Sequence, residues 1–102
     1  MTMKMLRVVL PQAARESLSD RLTENPHVTF WQVWDVRSRF VDGHAFAGVA
    51  DRVAGYTSRV CFEILANEPY IEELVQSLSA CPMCSRGHGL FWILDVAQTG
   101  IF

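Results

Sequence analysis

The chain has 102 residues, of which half are hydrophobic and 20% are charged, and its net charge is −2. This size predicts one domain spanning residues 1–102, and the balance of residue types excludes a disordered chain. The slight negative charge argues against a nucleic-acid partner, because phosphate binding needs a basic surface. No apolar run approaches the ~18–20 residues that cross a bilayer, and no secretion signal is evident. The sequence therefore predicts a cytoplasmic protein without membrane insertion.

The first half of the chain predicts a strand, a helix and a longer strand. Residues 4–10 form a short apolar run that is typical of a strand. Pro11 fits the first position of a helix, where its missing N–H is not needed. Apolar residues then recur at helical spacing, at Ala14, Leu18 and Leu22. Residues 28–40 are rich in β-branched and aromatic residues, which predicts a strand that is apolar on both faces.

The second half predicts a loop, a strand, a helix and a last strand. Residues 41–58 are rich in glycine and alanine without a clear period, which predicts a flexible loop, and loops of this length are usually functional. Residues 59–65 alternate as a strand does. The clearest helical stripe follows, at Ile71, Leu74, Val75 and Leu78. Residues 90–96 predict a buried last strand.

This order of elements predicts an α+β, ferredoxin-like fold. Two strand–helix–strand units with right-handed crossovers form one four-stranded antiparallel sheet with both helices on one face. The opposite face is then left uncovered, although the strand at residues 28–40 is apolar on that side too. A homo-oligomer that buries this face is the simplest solution.

The loop before the last strand contains the residues with the most distinctive chemistry. Cys81 and Cys84 are separated by two residues, and His88 follows four residues later. Thiolates and imidazole are ligands that soft or borderline ions such as Zn(II), Cu(I) and Ni(II) accept, and a two-residue gap lets one turn offer both sulfurs. The spacing predicts half of a metal site, which His44, Cys61, solvent or another subunit would complete.

Two other interpretations of the same cysteines remain open. The pair is also a potential redox dithiol, although thioredoxin-type motifs open a helix and this one follows a helix. The pair is alternatively incidental, as a lone CxxC often is. No enzyme template fits, because the serines have no positioned base and the carboxylates are spread along the chain. The sequence therefore predicts a protein that is not an enzyme.

Several short motifs resemble the PII-like superfamily of signalling proteins. Gly87-His88-Gly89 stands where PII proteins have a Gly-x-Gly loop before the last strand, and Thr99-Gly100 stands where they have a Thr-Gly pair after it. The chain also resembles a family of short PII-like proteins encoded beside heavy-metal efflux pumps. The matching motifs are Asp42-Gly43-His44, Val53-Ala54-Gly55 and Arg59-Val60-Cys61-Phe62.

The resemblance implies a PII-like oligomer, with a trimer favoured over a dimer, that acts as a sensor or adaptor in heavy-metal homeostasis. A metal bound by Cys81, Cys84, His88 and His44 would order the 41–58 loop, which would then contact a membrane transporter. Leu90 stands where nucleotide-binding PII proteins carry a lysine, which argues against ATP or ADP. The alternative ligand is a small anion or nucleotide in a cleft between subunits that Gly55, Gly87 and Gly89 would shape, with Arg86 in place of the missing lysine. A purely structural oligomer is the third hypothesis.

Overall fold

The computed structural model describes residues 2–41, 55–82, 84 and 89–102. Within these residues, four strands and two helices follow one another along the chain. They are β1 (Met3–Pro11), a 3₁₀ turn (Gln12–Ala14), α1 (Arg15–Glu24), β2 (Val28–Ser38), β3 (Thr57–Asn67), α2 (Glu68–Ser79) and β4 (Leu90–Asp95). None of the described helices is long and apolar enough to cross a membrane.

The strands form one sheet in the order β2-β3-β1-β4, and every neighbouring pair is antiparallel. This topology confirms the predicted ferredoxin-like α+β fold. Most of the predicted 41–58 loop lies outside the described residues. Its last two residues, Thr57 and Ser58, belong to β3 instead, because the pairing with β2 continues as far as Ser38↔Thr57.

The predicted helix start at Pro11 is wrong, since Pro11 is the last residue of β1 and pairs with Arg59. The proline does not interrupt the sheet, because the ladder between β1 and β4 already ends at Val9↔Leu90. The missing N–H of Pro11 therefore lies where no strand needs it. The 3₁₀ turn then leads into α1 at Arg15.

Both helices pack on one face of the sheet, which we call the covered face. Alternate residues of each central strand point to this face, and they form the core with the predicted helical stripes. The core residues are Leu6, Val8, Leu10, Ala14, Leu18, Leu22, Val60, Phe62, Ile64, Ala66, Ile71, Leu74, Leu78 and Cys84.

The prediction of a buried last strand is wrong. All six residues of β4 are exposed, because β4 is an edge strand that pairs only with β1. The helices pack mainly against β1, β2 and β3, so Phe91 and Ile93 of β4 remain 48% and 42% exposed even on the covered side. The apolar composition of β4 therefore marks a strand that the described part of the chain leaves uncovered.

The second face of the sheet, which we call the open face, carries no element among the described residues. The register places Phe30 beside Leu65 and Trp34 beside Cys61 on this face. The same register places Leu90 and Leu94 there on β4. Phe30 and Leu90 are 52% and 50% exposed, whereas the core side chains are nearly inaccessible. The predicted uncovered apolar face is thus present in the structure.

Candidate functional site

Two of the predicted metal ligands, Cys81 and Cys84, lie together just after α2. The backbone N–H of Cys81 donates to the carbonyl of Leu78 at 3.1 Å, and the N–H of Cys84 donates to the carbonyl of Cys81 at 3.1 Å. These bonds fold the two cysteines into one turn. The Cys84 thiol donates to the sulfur of Cys81 at 2.7 Å, and none of the three cysteines forms a disulfide bond.

The two thiols differ in their surroundings. Cys84 is only 6% exposed and belongs to the core beneath the helices, whereas Cys81 packs against that core from a half-buried position. Burial, reinforced by the hydrogen bond with Cys81, raises the pKa of Cys84 to about 12. Cys84 is therefore protonated at neutral pH, and a metal ion that binds its sulfur must displace this proton.

The remaining members of the predicted metal set are not brought together by the described residues. His44 and His88 lie outside them, and no group of three or more His, Cys, Asp or Glu side chains within the described part could hold a metal. Cys61 is on the open face of β3, whereas Cys84 belongs to the core on the covered face. Cys61 is therefore not a ligand partner of the pair within one chain.

Two of the four residues predicted for an anion loop are described. Gly89 packs so closely that a Cβ atom there would lie 2.7 Å from the carbonyl oxygen of Cys84 and 3.1 Å from that of Val9. Gly55 has a φ of +83° and open space around it, so its conformation explains the glycine. Both glycines thus have a structural reason, and Arg86 and Gly87 lie outside the described residues.

A cavity at the end of the open face was missed by the sequence analysis. It has a volume of about 170 Å³ and is mostly apolar. Its walls come from β1, the end of β2 and the residues just after it, the start of β3 and the first residues of β4. The lining residues are Val9, Ser38, Arg39, Phe40, Arg59, Leu90 and Trp92.

Arg59 is a buried charged residue of this cavity. It is only 4% exposed, and its Nη1 donates to the hydroxyl of Ser38 at 2.7 Å and to the Ser38 carbonyl at 3.3 Å. Its guanidinium also lies 5.1 Å from the ring centre of Phe40, within cation–π range. In the sequence, this arginine lies opposite the apolar positions of a predicted strand. Alternation alone predicts that a residue at such a position is exposed, so it did not reveal that Arg59 is buried.

A polar cluster lies at the centre of the open face. Nε of Arg7 donates to Oε2 of Glu63 at 2.8 Å, Nη2 of Arg7 forms an ion pair with the same oxygen, and Gln32 donates to Oε1 at 2.6 Å. The guanidinium of Arg7 lies 5.7 Å from the ring centre of Trp92. We call Arg7, Gln32 and Glu63 the central polar cluster.

The cluster changes the pKa values of two groups on the open face. Burial alone would raise the pKa of Glu63, but the hydrogen bonds from Arg7 and Gln32 and the positive charge of Arg7 together lower it below its ordinary value. Burial raises the pKa of the Cys61 thiol, and the nearby Arg7 charge offsets only part of that effect. At neutral pH the open face therefore presents a paired carboxylate and a neutral thiol.

The chain belongs to the family DUF3240, described as a protein of unknown function, whose profile matches residues 1–102. No curated protein matches the sequence. A crystal structure of a DUF3240 family protein from Shewanella baltica OS155 superposes with a TM-score of 0.76 at 17% identity, covering 100% of this chain and 98% of that chain.

Two structures of Bacillus subtilis GlnK also share the fold. GlnK superposes with a TM-score of 0.65 at 15% identity, covering 95% of this chain and 87% of that chain. Its ATP complex superposes with a TM-score of 0.61 at 17% identity, covering 94% of this chain and 85% of that chain. The predicted PII-like fold is therefore confirmed.

Proposed function

We propose that this chain is a small regulatory protein that works as a homo-oligomer and responds to a soft or borderline metal ion, Zn, Cu or Ni, at Cys81 and Cys84. The observation that carries the proposal is the pair of adjacent thiols, which form no disulfide and have sulfurs 2.7 Å apart. Thiolates are preferred ligands of such ions. The folded turn places both sulfurs side by side, and they must move apart to bind one ion because Zn–S bonds are about 2.3 Å long and tetrahedrally arranged. We expect His88 and His44 to complete the coordination.

The position of the pair suggests how metal binding would be transmitted. The carbonyl of Cys84 is in tight contact with Gly89, and Gly89 directly precedes β4. A metal that changes the Cys81–Cys84 turn would therefore shift the first residue of β4, Leu90. Since β4 contributes Leu90 and Leu94 to the open face, the metal site is mechanically linked to the surface that we propose for subunit contact.

Native mass spectrometry of the reduced full chain with Zn(II), Cu(I) or Ni(II) tests the metal site. We expect about one ion per subunit, lost in Cys81→Ala and in Cys84→Ala. Cys61→Ala is the matched control, because that thiol is also buried but lies on the other face, and it should bind metal normally. Binding that survives both turn substitutions, or no binding by any of the three ions, would refute the metal proposal.

Self-association is supported by the exposed apolar side chains of the open face. Adjacent residues of β4 provide a matched pair, because Leu94 points to the open face and Ile93 to the covered side, with exposures of 39% and 42%. We expect Leu94→Glu to shift the oligomer to monomer in analytical ultracentrifugation, since it places a charge in the contact, and Ile93→Glu to leave it assembled. If both substitutions changed the oligomer equally, or if the unsubstituted chain were monomeric, self-association through the open face would be contradicted.

A small anion or nucleotide is the second candidate ligand, favoured by the cavity that Arg39 and Arg59 line. Guanidinium groups bind phosphate, and the GlnK structure determined as an ATP complex has the same fold. Calorimetric titration with ATP and ADP tests it. Arg39→Ala should abolish binding, whereas Arg37→Ala, whose guanidinium lies over Tyr56 outside the cavity, should not. Metal binding without any nucleotide binding would exclude this alternative.

We further propose that the assembled protein passes its signal to a membrane transporter of the same ions, in keeping with a role in heavy-metal homeostasis. The support is the sequence resemblance to PII-like proteins encoded beside efflux pumps. Co-purification of the metal-loaded protein with such a transporter tests it, and the metal-free Cys84→Ala variant should not co-purify.

A further inference from the structure

We infer that Cys81 and Cys84 form a reversible disulfide, in which Cys81 reacts first with a low-molecular-weight disulfide and Cys84 completes the bond. This inference goes beyond the proposed metal site, because it needs only the two thiols and no metal ion. It assigns the pair a thiol–disulfide exchange activity and makes the turn after α2 a redox-sensitive element.

The geometry brings the two sulfurs close to bonding distance. A disulfide bond is about 2.05 Å long, and the sulfurs of Cys81 and Cys84 are 2.7 Å apart. The turn that holds them is already closed by the hydrogen bond from the Cys84 N–H to the Cys81 carbonyl at 3.1 Å. Oxidation therefore requires the sulfurs to close by less than about 1 Å, without unfolding of the helix that precedes them.

The burial of the two thiols sets the order of reaction. An external disulfide must reach the attacking sulfur, and Cys84 is 6% exposed whereas Cys81 is half-buried at the surface of the turn. Cys81 is therefore the accessible thiol, and Cys84 is placed to attack only the sulfur beside it. Cys61 is 3% exposed and lies on the opposite face of the sheet, so it takes no part.

The exchange balances in two steps. The Cys81 thiolate attacks one sulfur of glutathione disulfide, forms a mixed disulfide and releases one glutathione thiolate, which takes up the proton that Cys81 lost. Cys84 then attacks the sulfur of Cys81, forms the internal disulfide and releases the second glutathione with the proton of Cys84. The protein loses two electrons and two protons, and glutathione disulfide is reduced to two glutathione molecules.

Intact-mass spectrometry of the full chain tests the inference in glutathione buffers of graded ratio with a chelator present. The chelator removes metal, so failure here is distinguishable from failure of the metal site. Trypsin leaves all three cysteines on one peptide, residues 60–86, so the mapping uses Cys61→Ala as background. In this background we expect the intact mass to decrease by two hydrogens and the peptide fragments to link Cys81 to Cys84. Dithiothreitol should restore the original mass.

Single substitutions separate the roles of the two thiols. Cys84→Ala should accumulate one glutathione on Cys81, and Cys81→Ala should remain unmodified under native conditions. Circular dichroism establishes that each variant is folded, and Cys84→Ser serves if Cys84→Ala is not. A stable glutathione adduct on unsubstituted protein without the internal bond would overturn the inference. So would modification of Cys84 in Cys81→Ala, or three thiols that remain free in fully oxidised buffer.

Discussion

The two faces of the sheet are both apolar, yet only one of them is a core. On the covered face Val60, Phe62 and Ile64 are fully buried by the helices. On the open face Phe30 and Trp34 are 52% and 39% exposed. The open face also carries the central polar cluster, which satisfies its own charges by internal hydrogen bonds. The difference shows that apolar composition alone does not make a core, and that the open face is suited to contact another molecule.

We expect the largest difference between the two faces in the free energy of unfolding when a phenylalanine is truncated on each of them. Phe62→Ala removes a fully buried ring from the covered face, and such truncations cost about 3–5 kcal/mol. Phe30→Ala removes a half-exposed ring from the open face, and we expect a loss below about 1 kcal/mol when the chain is monomeric. Urea denaturation at low protein concentration measures both free energies of unfolding.

The same pair tests self-association at higher concentration. If the open face is buried between subunits, the cost of Phe30→Ala should grow with protein concentration, since binding stabilises by mass action. Phe62→Ala should show a concentration-independent cost. Equal costs for the two substitutions in the monomer would mean that the faces do not differ as described.

The fold was predictable because periodicity reports burial directly. The stripe at Ile71, Leu74 and Leu78 predicted α2, and the structure buries all three residues. The alternation around Phe62 likewise predicted β3. The exposure of β4 was not predictable from the sequence. An edge strand that another molecule covers has the same apolar residues as a strand that is buried within its own chain.

The candidate site was predictable only in part. The spacing of Cys81 and Cys84 predicted their adjacency, because two intervening residues close one turn. The burial of Cys84 depends on packing against the core beneath the helices, which local spacing does not encode. The contact of Arg59 with Ser38 was missed for the same reason, since it joins residues from different strands.

A smaller effect, specific to the open face, is expected at acidic pH. The pKa of Glu63 is lowered in the folded chain, so its stabilising contribution is complete above the pKa of the unfolded chain. It is lost as the pH falls through the lower folded value. We expect the free energy of unfolding to decrease in this acidic window, whereas near neutral pH the contribution of Glu63 is complete and does not change with pH.

Glu63→Gln is the control for this prediction, because it keeps the shape and removes the titrating group. Denaturation from neutral to acidic pH should show a shallower decrease for the variant than for the unsubstituted chain. Identical pH profiles would mean that folding does not lower the pKa of Glu63. A steeper profile in the variant would reverse the direction assigned to the pKa.

We expect the smallest change in the free energy of unfolding from the exposed ion pair between Arg15 and Asp35, at the rim of the covered face. Arg15 donates to the Asp35 carboxylate at 3.0 Å, but the two side chains are 44% and 66% exposed. Exposed pairs of this kind contribute about 0–1 kcal/mol because solvent screens them and ordering the side chains costs entropy. Arg15→Ala should therefore change the free energy of unfolding by less than about 0.5 kcal/mol, with little further change in high salt. A loss comparable to that of Phe62→Ala would show that the rim, and not the apolar core, holds α1 on the sheet.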